Sequence, residues 1–128
     1  MPHLTIEYSE NISQTGNIQT LCTRLANVLL TSNLFEIGAV RVRARPCAQY
    51  FIADQHLENG FADMVLRLGS GRQDSEKSAL GASLMAAGTQ HFADLLAKPH
   101  FALSLEIQDI SAKFSWKTNA MHPRLRTP

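Results

Sequence analysis

Hydrophobic and polar positions follow one another in two different periods along the first part of the chain. Residues 3–8 alternate apolar with polar side chains, which is the period of a half-buried β-strand. Residues 40–45 alternate in the same way and predict a strand that Pro46 should end, because proline donates no ladder hydrogen bond. Between them, apolar residues recur at steps of three and four, which predicts a helix ending near residues 32–33. The apolar positions of this helix are Ile18, Leu21, Cys22, Leu25, Val28 and Leu29.

The same order of patterns occurs again in the second part of the chain. Residues 61–68 predict a strand, residues 69–71 a turn, and residues 103–108 a final strand. The intervening helix should begin near Asp74 or Ser75 and continue to Leu95. Its apolar face comprises Leu80, Leu84, Gly88, His91, Phe92 and Leu95.

Two successive β-α-β patterns predict an α+β fold in one domain over residues 1–128. The repeating units are residues 2–55 and 61–110, followed by a tail at 111–128. Because each unit returns parallel and right-handed, the units together form a four-stranded sheet with two helices on one face. The other sheet face must meet water or a second subunit, and the apolar run at residues 50–52 favours a homo-oligomer.

Composition excludes several classes of protein. The 128-residue chain has 45% hydrophobic residues and a net charge of +1, so disorder and general nucleic-acid binding are both disfavoured. No apolar run reaches the ~20 residues of a membrane span, and the amino terminus lacks the features of a signal peptide. We therefore expect a cytoplasmic protein without membrane or nucleic-acid partners. The basic surplus of the tail predicts a solvated, partly frayed end with Lys113, Lys117, Arg124 and Arg126.

Cysteine and histidine positions predict neither a disulfide nor a metal site. Cys22 and Cys47 lie in different settings without metal-ligand spacing, which is typical of free thiols in a reducing compartment. The histidines show no HExxH or other close grouping, so no metal is expected. They are His3, His56, His91, His100 and His122.

Three arginines alternate along one predicted strand and are candidates for anion binding. Arg41, Arg43 and Arg45 should share one face, about 7 Å apart at successive steps of two residues. They are either solvated and paired with carboxylates, or they form a wall that binds substrate carboxylates, since guanidinium pairs bidentately with a carboxylate.

The turn at residues 69–71 and the Arg72 that follows it form a second candidate anion site. The turn lies between a strand and a helix, so its N–H groups and Arg72 could hold an anion at the helix amino terminus. It matches neither GxGxxG nor a P-loop, and a simple tight turn is the alternative.

Pro2 is the third candidate for chemistry. Removal of Met1 would expose a secondary amine at the start of the first strand. A free α-amine has a pKa of ~8, and burial or nearby arginines would lower it toward neutrality. A neutral amine at pH 7 can act as a general base.

The order and spacing of these segments resemble the 5-carboxymethyl-2-hydroxymuconate isomerase family, within the tautomerase superfamily of amino-terminal-proline enzymes. The similarity rests on residues 2–12, 38–43, 69–72 and 103–107 and weakens after about Thr118. It implies a homotrimer and a cofactor-independent isomerase, formally an intramolecular oxidoreductase, in aromatic catabolism. The reaction would move a proton in an anionic 2-hydroxydienoate to give the 2-oxo-enoate.

The resemblance also implies roles for individual residues. Pro2 would be the general acid and base, Arg41 a catalytic residue, and Arg43 and Arg72 substrate-binding residues, with no metal. Arg45 has no corresponding role. Two alternatives stay open: a non-catalytic trimeric anion-binding module, or another superfamily activity on a different unsaturated acid.

Overall fold

The computed structural model describes residues 1–126 and shows one mixed four-stranded sheet. The strands are β1 (His3–Ser9), β2 (Arg41–Cys47), β3 (Gly60–Gly69) and β4 (Phe101–Ile110). The helices are α1 (Ile18–Thr31), α2 (Asp74–His91), α3 (Ala93–Leu96) and α4 (Met121–Arg126), with 3-10 turns at Glu10–Ile12 and Ile37–Ala39. No helix within residues 1–126 is long and apolar enough to cross a membrane.

The sheet order β2-β1-β3-β4 confirms the two predicted β-α-β units. β1 pairs parallel with β2, and β3 pairs parallel with β4. The two units meet where β1 and β3 run antiparallel in the middle of the sheet. The α+β fold class and the parallel pairing within each unit are therefore as the hydrophobic pattern predicted.

Both long helices pack on one face of the sheet. The apolar positions of β1 and β3 are buried there against Leu21, Leu25 and Leu29 of α1 and against Leu80 and Leu84 of α2. Each fully buried leucine removes enough apolar surface from water to contribute roughly 1.5–3 kcal/mol. The opposite face carries the polar half of each alternation and is called the open face below.

Local signals explain where α2 begins and why it approaches the sheet closely. A capping box fixes its first turn, in which the Gln73 N–H donates to Glu76 Oε1 at 3.1 Å. Near its end, a Cβ on Gly88 would lie only 3.2 Å from Leu103 Cδ2. Glycine at this position therefore lets α2 pack tightly on β4.

The structure corrects two predicted boundaries. The second helical stripe does not run unbroken to Leu95, because α2 ends at His91 and the buried Phe92 turns the chain into the short α3. Pro46 does not end the second strand, since β2 continues to Cys47. β2 is an edge strand, where a missing N–H removes no bond to a neighbouring strand.

The tail is a third correction. Residues 121–126 form α4 rather than a frayed end, because Arg126 Nη2 donates to Glu36 Oε1 at 2.8 Å and ties the helix to the preceding domain. Residues 127–128 of the predicted tail lie outside the described residues.

Candidate active site

The amino terminus lies where the edge strand and the central strand begin side by side. The Pro2 ring is almost fully buried, and its carbonyl accepts a hydrogen bond from the Arg41 N–H at 3.2 Å. Met1 is only partly buried. The Pro2 nitrogen therefore lies where the chain leaves the core. Removal of Met1 would turn this nitrogen into a free amine.

Met1 lies between two cavities. One, of about 410 Å³, is lined by Met1, Phe35 and Arg72 together with residues of the tail. The other, of about 520 Å³, is lined by Met1, His3 and Arg67 and by the segment around Trp116. Lys117 lines both cavities. A molecule in either cavity would thus meet the amino terminus and a lysine.

The surroundings favour the neutral form of the terminal amine. Burial is the largest cause of a pKa below the ordinary value at the Met1 amino group. The positive charges that lower this pKa further belong to Lys117, Arg72 and Arg41. The Met1 amino group is therefore partly shielded from water and surrounded by positive charges that attract anions.

Arg72 is held in one position at the edge of the first cavity. Its Nη1 donates to Gly69 O at 3.1 Å and its Nη2 donates to Leu34 O at 2.9 Å. The guanidinium also lies over the Phe35 ring, 4.7 Å from the centroid. These hydrogen bonds occupy two of its five N–H donors, so the group is fixed and can still bind an anion.

The turn before Arg72 places this side chain. Gly71 has φ +99°, a left-handed conformation that glycine adopts without strain. Arg72 then returns to the turn and binds the Gly69 carbonyl. The turn thus positions an arginine.

Arg41 lies near the amino terminus without lining either cavity among the described residues. Its Nη1 donates to Gly38 O at 2.9 Å. Asn119 Nδ2 donates to the same carbonyl at 2.8 Å. Gly38 therefore connects Arg41 to the tail.

Arg43 lies on the open face, as the alternation predicted. Its Nη2 is 3.1 Å from His3 Nδ1, and it lines neither cavity within the described part of the chain. Burial, followed by the charges of Arg43 and Arg67, lowers the pKa of His3, so this ring favours its neutral form. Arg43 thus contacts His3, and His3 lines the second cavity. Arg45, to which the family resemblance assigns no role, is exposed on the same face.

The tail contributes residues to the site that the local sequence patterns do not predict. The first cavity is lined by Lys117, Asn119, His122 and Arg126. Hydrogen bonding to Arg126 is the largest cause that lowers the pKa of Glu36, so this carboxylate stays ionised and holds α4 in place. The basic surplus of the tail is the one sequence signal for this contribution, and it does not distinguish a cavity wall from a solvated end.

This arrangement places an amino group beside cations that can bind an anion. A family model described as 5-carboxymethyl-2-hydroxymuconate isomerase matches residues 2–125. The chain belongs to this family. The sequence-based assignment, and with it the prediction of an isomerase, is confirmed at that level.

Individual members of the 5-carboxymethyl-2-hydroxymuconate isomerase family are similar over nearly their whole length. A 5-carboxymethyl-2-hydroxymuconate Delta-isomerase of Escherichia coli is 27% identical over 122 residues, which cover 95% of this chain and 97% of the relative. The crystal structure of a 5-carboxymethyl-2-hydroxymuconate isomerase from Deinococcus radiodurans R1 is 36% identical, with a TM-score of 0.92 over 98% of this chain and 95% of the other.

More distant structures share the fold alone. A structure described as a fused 4-OT wild type symmetric trimer is 17% identical, with a TM-score of 0.65 over 91% of this chain and 93% of the other. The tautomerase fold assigned to this family member is thereby confirmed.

Proposed function

We propose that the protein, once Met1 is removed, isomerises an anionic 2-hydroxydienoate to its 2-oxo-enoate by moving one proton through the Pro2 nitrogen. The substrate would resemble 5-carboxymethyl-2-hydroxymuconate, the compound in the names of its relatives. The observation that carries this proposal is the position of the amino terminus between two cavities, with Lys117 and Arg72 beside it. No cofactor takes part.

Each step of the proton transfer has a group to perform it. The neutral Pro2 amine takes a proton from the 2-hydroxyl oxygen of the dienol and returns one to a carbon of the conjugated system, which gives the 2-oxo isomer. The charge that develops is delocalised over oxygen and carbon, and a fixed guanidinium stabilises it more than it stabilises the substrate. The proline ring restricts the motion of the nitrogen that carries the proton.

The positively charged side chains near the amino terminus would bind the substrate and stabilise its developing negative charge. Arg72 and Lys117 line the cavities and would bind the carboxylates of the substrate. Arg41, the predicted catalytic residue, is near enough to lower the pKa of the Met1 amino group, and we propose that in Met1-free protein it stabilises the developing oxyanion. The predicted contact of Arg43 with substrate stays a prediction, and it would require an approach past His3.

We also propose that the protein is a homotrimer, because the fused 4-OT protein that shares its fold is a symmetric trimer. Several large apolar side chains are exposed in a single chain, including Phe51 at 73%, Phe114 at 74% and Trp116 at 85%. Burying them against neighbouring subunits would remove apolar surface from water. Phe114 and Trp116 line the second cavity, so such an assembly would complete its wall.

The experiment compares ultraviolet-monitored conversion of 2-hydroxymuconate-type dienols by Met1-free protein, by its Pro2→Ala variant, and by protein that retains Met1. We expect Pro2→Ala to lose at least tenfold in kcat, because a flexible primary amine replaces a fixed secondary one. Protein retaining Met1 should be inactive, since its Pro2 nitrogen is an amide.

Equal rates for Met1-free protein and Pro2→Ala would remove Pro2 from the mechanism. Saturable binding of the dienol without conversion by Met1-free protein would instead favour an anion-binding module. Intact-mass measurement establishes which amino terminus each preparation carries.

A further inference from the structure

Three metal-ligating side chains converge at the end of the sheet remote from the amino terminus. One ligand atom each of His56, Glu58 and His100 lies within 4.8 Å of the other two. They meet where β3 and β4 begin, with the Gly60 N–H donating to His100 O at 2.8 Å. His3 pairs with Arg67 near the other end of β3, so the two sites are separate.

A buried asparagine determines which nitrogen of His100 can bind a ligand. Asn59 Nδ2 donates to Asp54 Oδ1 at 2.8 Å and to Ile52 O at 3.2 Å, so the amide is oriented with Oδ1 toward the ring. His100 Nδ1 lies 3.2 Å from Asn59 Oδ1 and must donate to it. The lone pair of the neutral His100 ring is therefore on Nε2. Metal-ligating histidines are commonly oriented by such a bond from their other nitrogen.

The ligand atoms of the three side chains lie close to one another. His100 Nε2 is 3.6 Å from Glu58 Oε2. The His56 ring stacks on the His100 ring at 4.1 Å between centroids. A cation bound between them could accept electron pairs from all three side chains.

We propose that His56, Glu58 and His100 bind a divalent first-row transition metal ion such as Zn²⁺, with water as a fourth ligand. Two imidazoles and one carboxylate are a donor set that Zn²⁺ accepts in tetrahedral geometry. His56 is exposed and can turn toward the ion. Its Nδ1 now accepts the Glu58 N–H at 3.1 Å, and the metal ion would replace that hydrogen as the partner of the lone pair.

The ion would connect two segments that are far apart in the chain. It would join the connection between β2 and β3 to the residue that precedes β4, and so stabilise this end of the sheet. The proposal departs from the sequence-based expectation of no metal site. His100 is separated from His56 and Glu58 by a strand and two helices, so no short motif spacing could reveal the site. It is also independent of the proposed isomerase activity.

The test is calorimetric titration of the chelator-treated, dialysed full chain with zinc chloride. We expect one saturable equivalent that becomes at least tenfold weaker in His56→Asn and in His100→Asn. His3→Gln is the matched control, because it removes a histidine at the opposite end of the sheet, and its affinity should equal that of the parent chain. Cys22→Ser and Cys47→Ser are introduced in every sample, because thiolates are alternative zinc ligands.

Thermal melting followed by circular dichroism confirms that each variant is folded and gives a second measurement. Zinc in about 100-fold excess over its Kd should raise the Tm of the parent chain by several degrees and leave that of His56→Asn unchanged. His56 is exposed, so its replacement should not disturb folding. Absence of saturable heat, or equal affinity in the parent and both histidine variants, would overturn the proposal.

Discussion

At the scale of single residues, the candidate active site contains cations that are held in place without any ligand. Carbonyl oxygens of Gly69 and Leu34 hold Arg72, and the Gly38 carbonyl holds Arg41. Charges that are already oriented need no rearrangement when an oxyanion forms, which is the most effective form of electrostatic stabilisation. The proposed mechanism depends on this fixed geometry as much as on the number of charges.

Lys117 provides a prediction at this scale. Lys117→Met should raise KM about tenfold, equivalent to about 1.4 kcal/mol, with a smaller change in kcat, because the lysine would bind a substrate carboxylate. Lys113→Met is the matched control, since Lys113 is an exposed lysine four residues earlier in the tail. Steady-state kinetics measure both, and an equal effect of the two substitutions would refute a specific role for Lys117.

At the scale of elements, the short helix α4 forms part of a cavity wall although it is too short to be stable alone. The Glu36 carboxylate accepts from both Nε and Nη2 of Arg126, and His122 Nδ1 lies 3.4 Å from the same carboxylate. A Cβ on Gly38 would lie 3.0 Å from His122 Nδ1, so the helix packs closely on the segment before β2. The tail is thus part of the site because of these few contacts.

Glu36→Gln should loosen α4 without unfolding the domain. The pair is exposed, so its loss should reduce the free energy of unfolding only slightly. Limited proteolysis should nevertheless cleave the variant faster within residues 117–126, and KM should rise. Asp74→Asn removes the exposed pair with Lys77 and serves as control. Unchanged cleavage and unchanged KM in Glu36→Gln would show that the Glu36–Arg126 pair does not hold α4 against the first cavity.

At the scale of the whole molecule, the sheet has one face covered by helices and one face without them. The open face and the segments beside it carry both the arginines of β2 and the exposed aromatic side chains. In the proposed trimer this face meets neighbouring subunits. A site that opens toward this face would then gain part of its wall from a second chain.

The single tryptophan reports on this assembly. Sedimentation at micromolar concentration should give three times the 14.2 kDa mass of the chain. Trp116 is 85% exposed in one chain, so its fluorescence emission should shift to longer wavelength on dilution, in step with the fall in mass. A monomeric mass, or emission that is independent of dissociation, would contradict the assembly.

The spacing of hydrophobic residues predicted the strands and long helices of this fold. The features that it did not predict depend on contacts between residues that are far apart in the sequence. Alternation and helical stripes located all four strands and both long helices. They could not show that the helix would be interrupted at Phe92, or that Pro46 would lie on an edge where its missing N–H has no cost.

The candidate site likewise has residues that local sequence predicts and residues that it does not. Local sequence pointed to Pro2, Arg41 and Arg72, which the fold brings near one another. The contribution of α4 depends on a contact of Arg126 with Glu36, 90 residues away, which no local pattern encodes.

The pH dependence of kcat/KM for Met1-free protein tests the central claim most directly. The claim is that a terminal amine with a lowered pKa acts as the base, and only its neutral form accepts a proton. We therefore predict that kcat/KM rises with pH through a single-proton step below the ordinary α-amine value of about 8, and that Lys117→Met moves this step to higher pH by removing a positive neighbour. A profile without such a step, or a step at or above pH 8 that Lys117→Met leaves in place, would contradict the account.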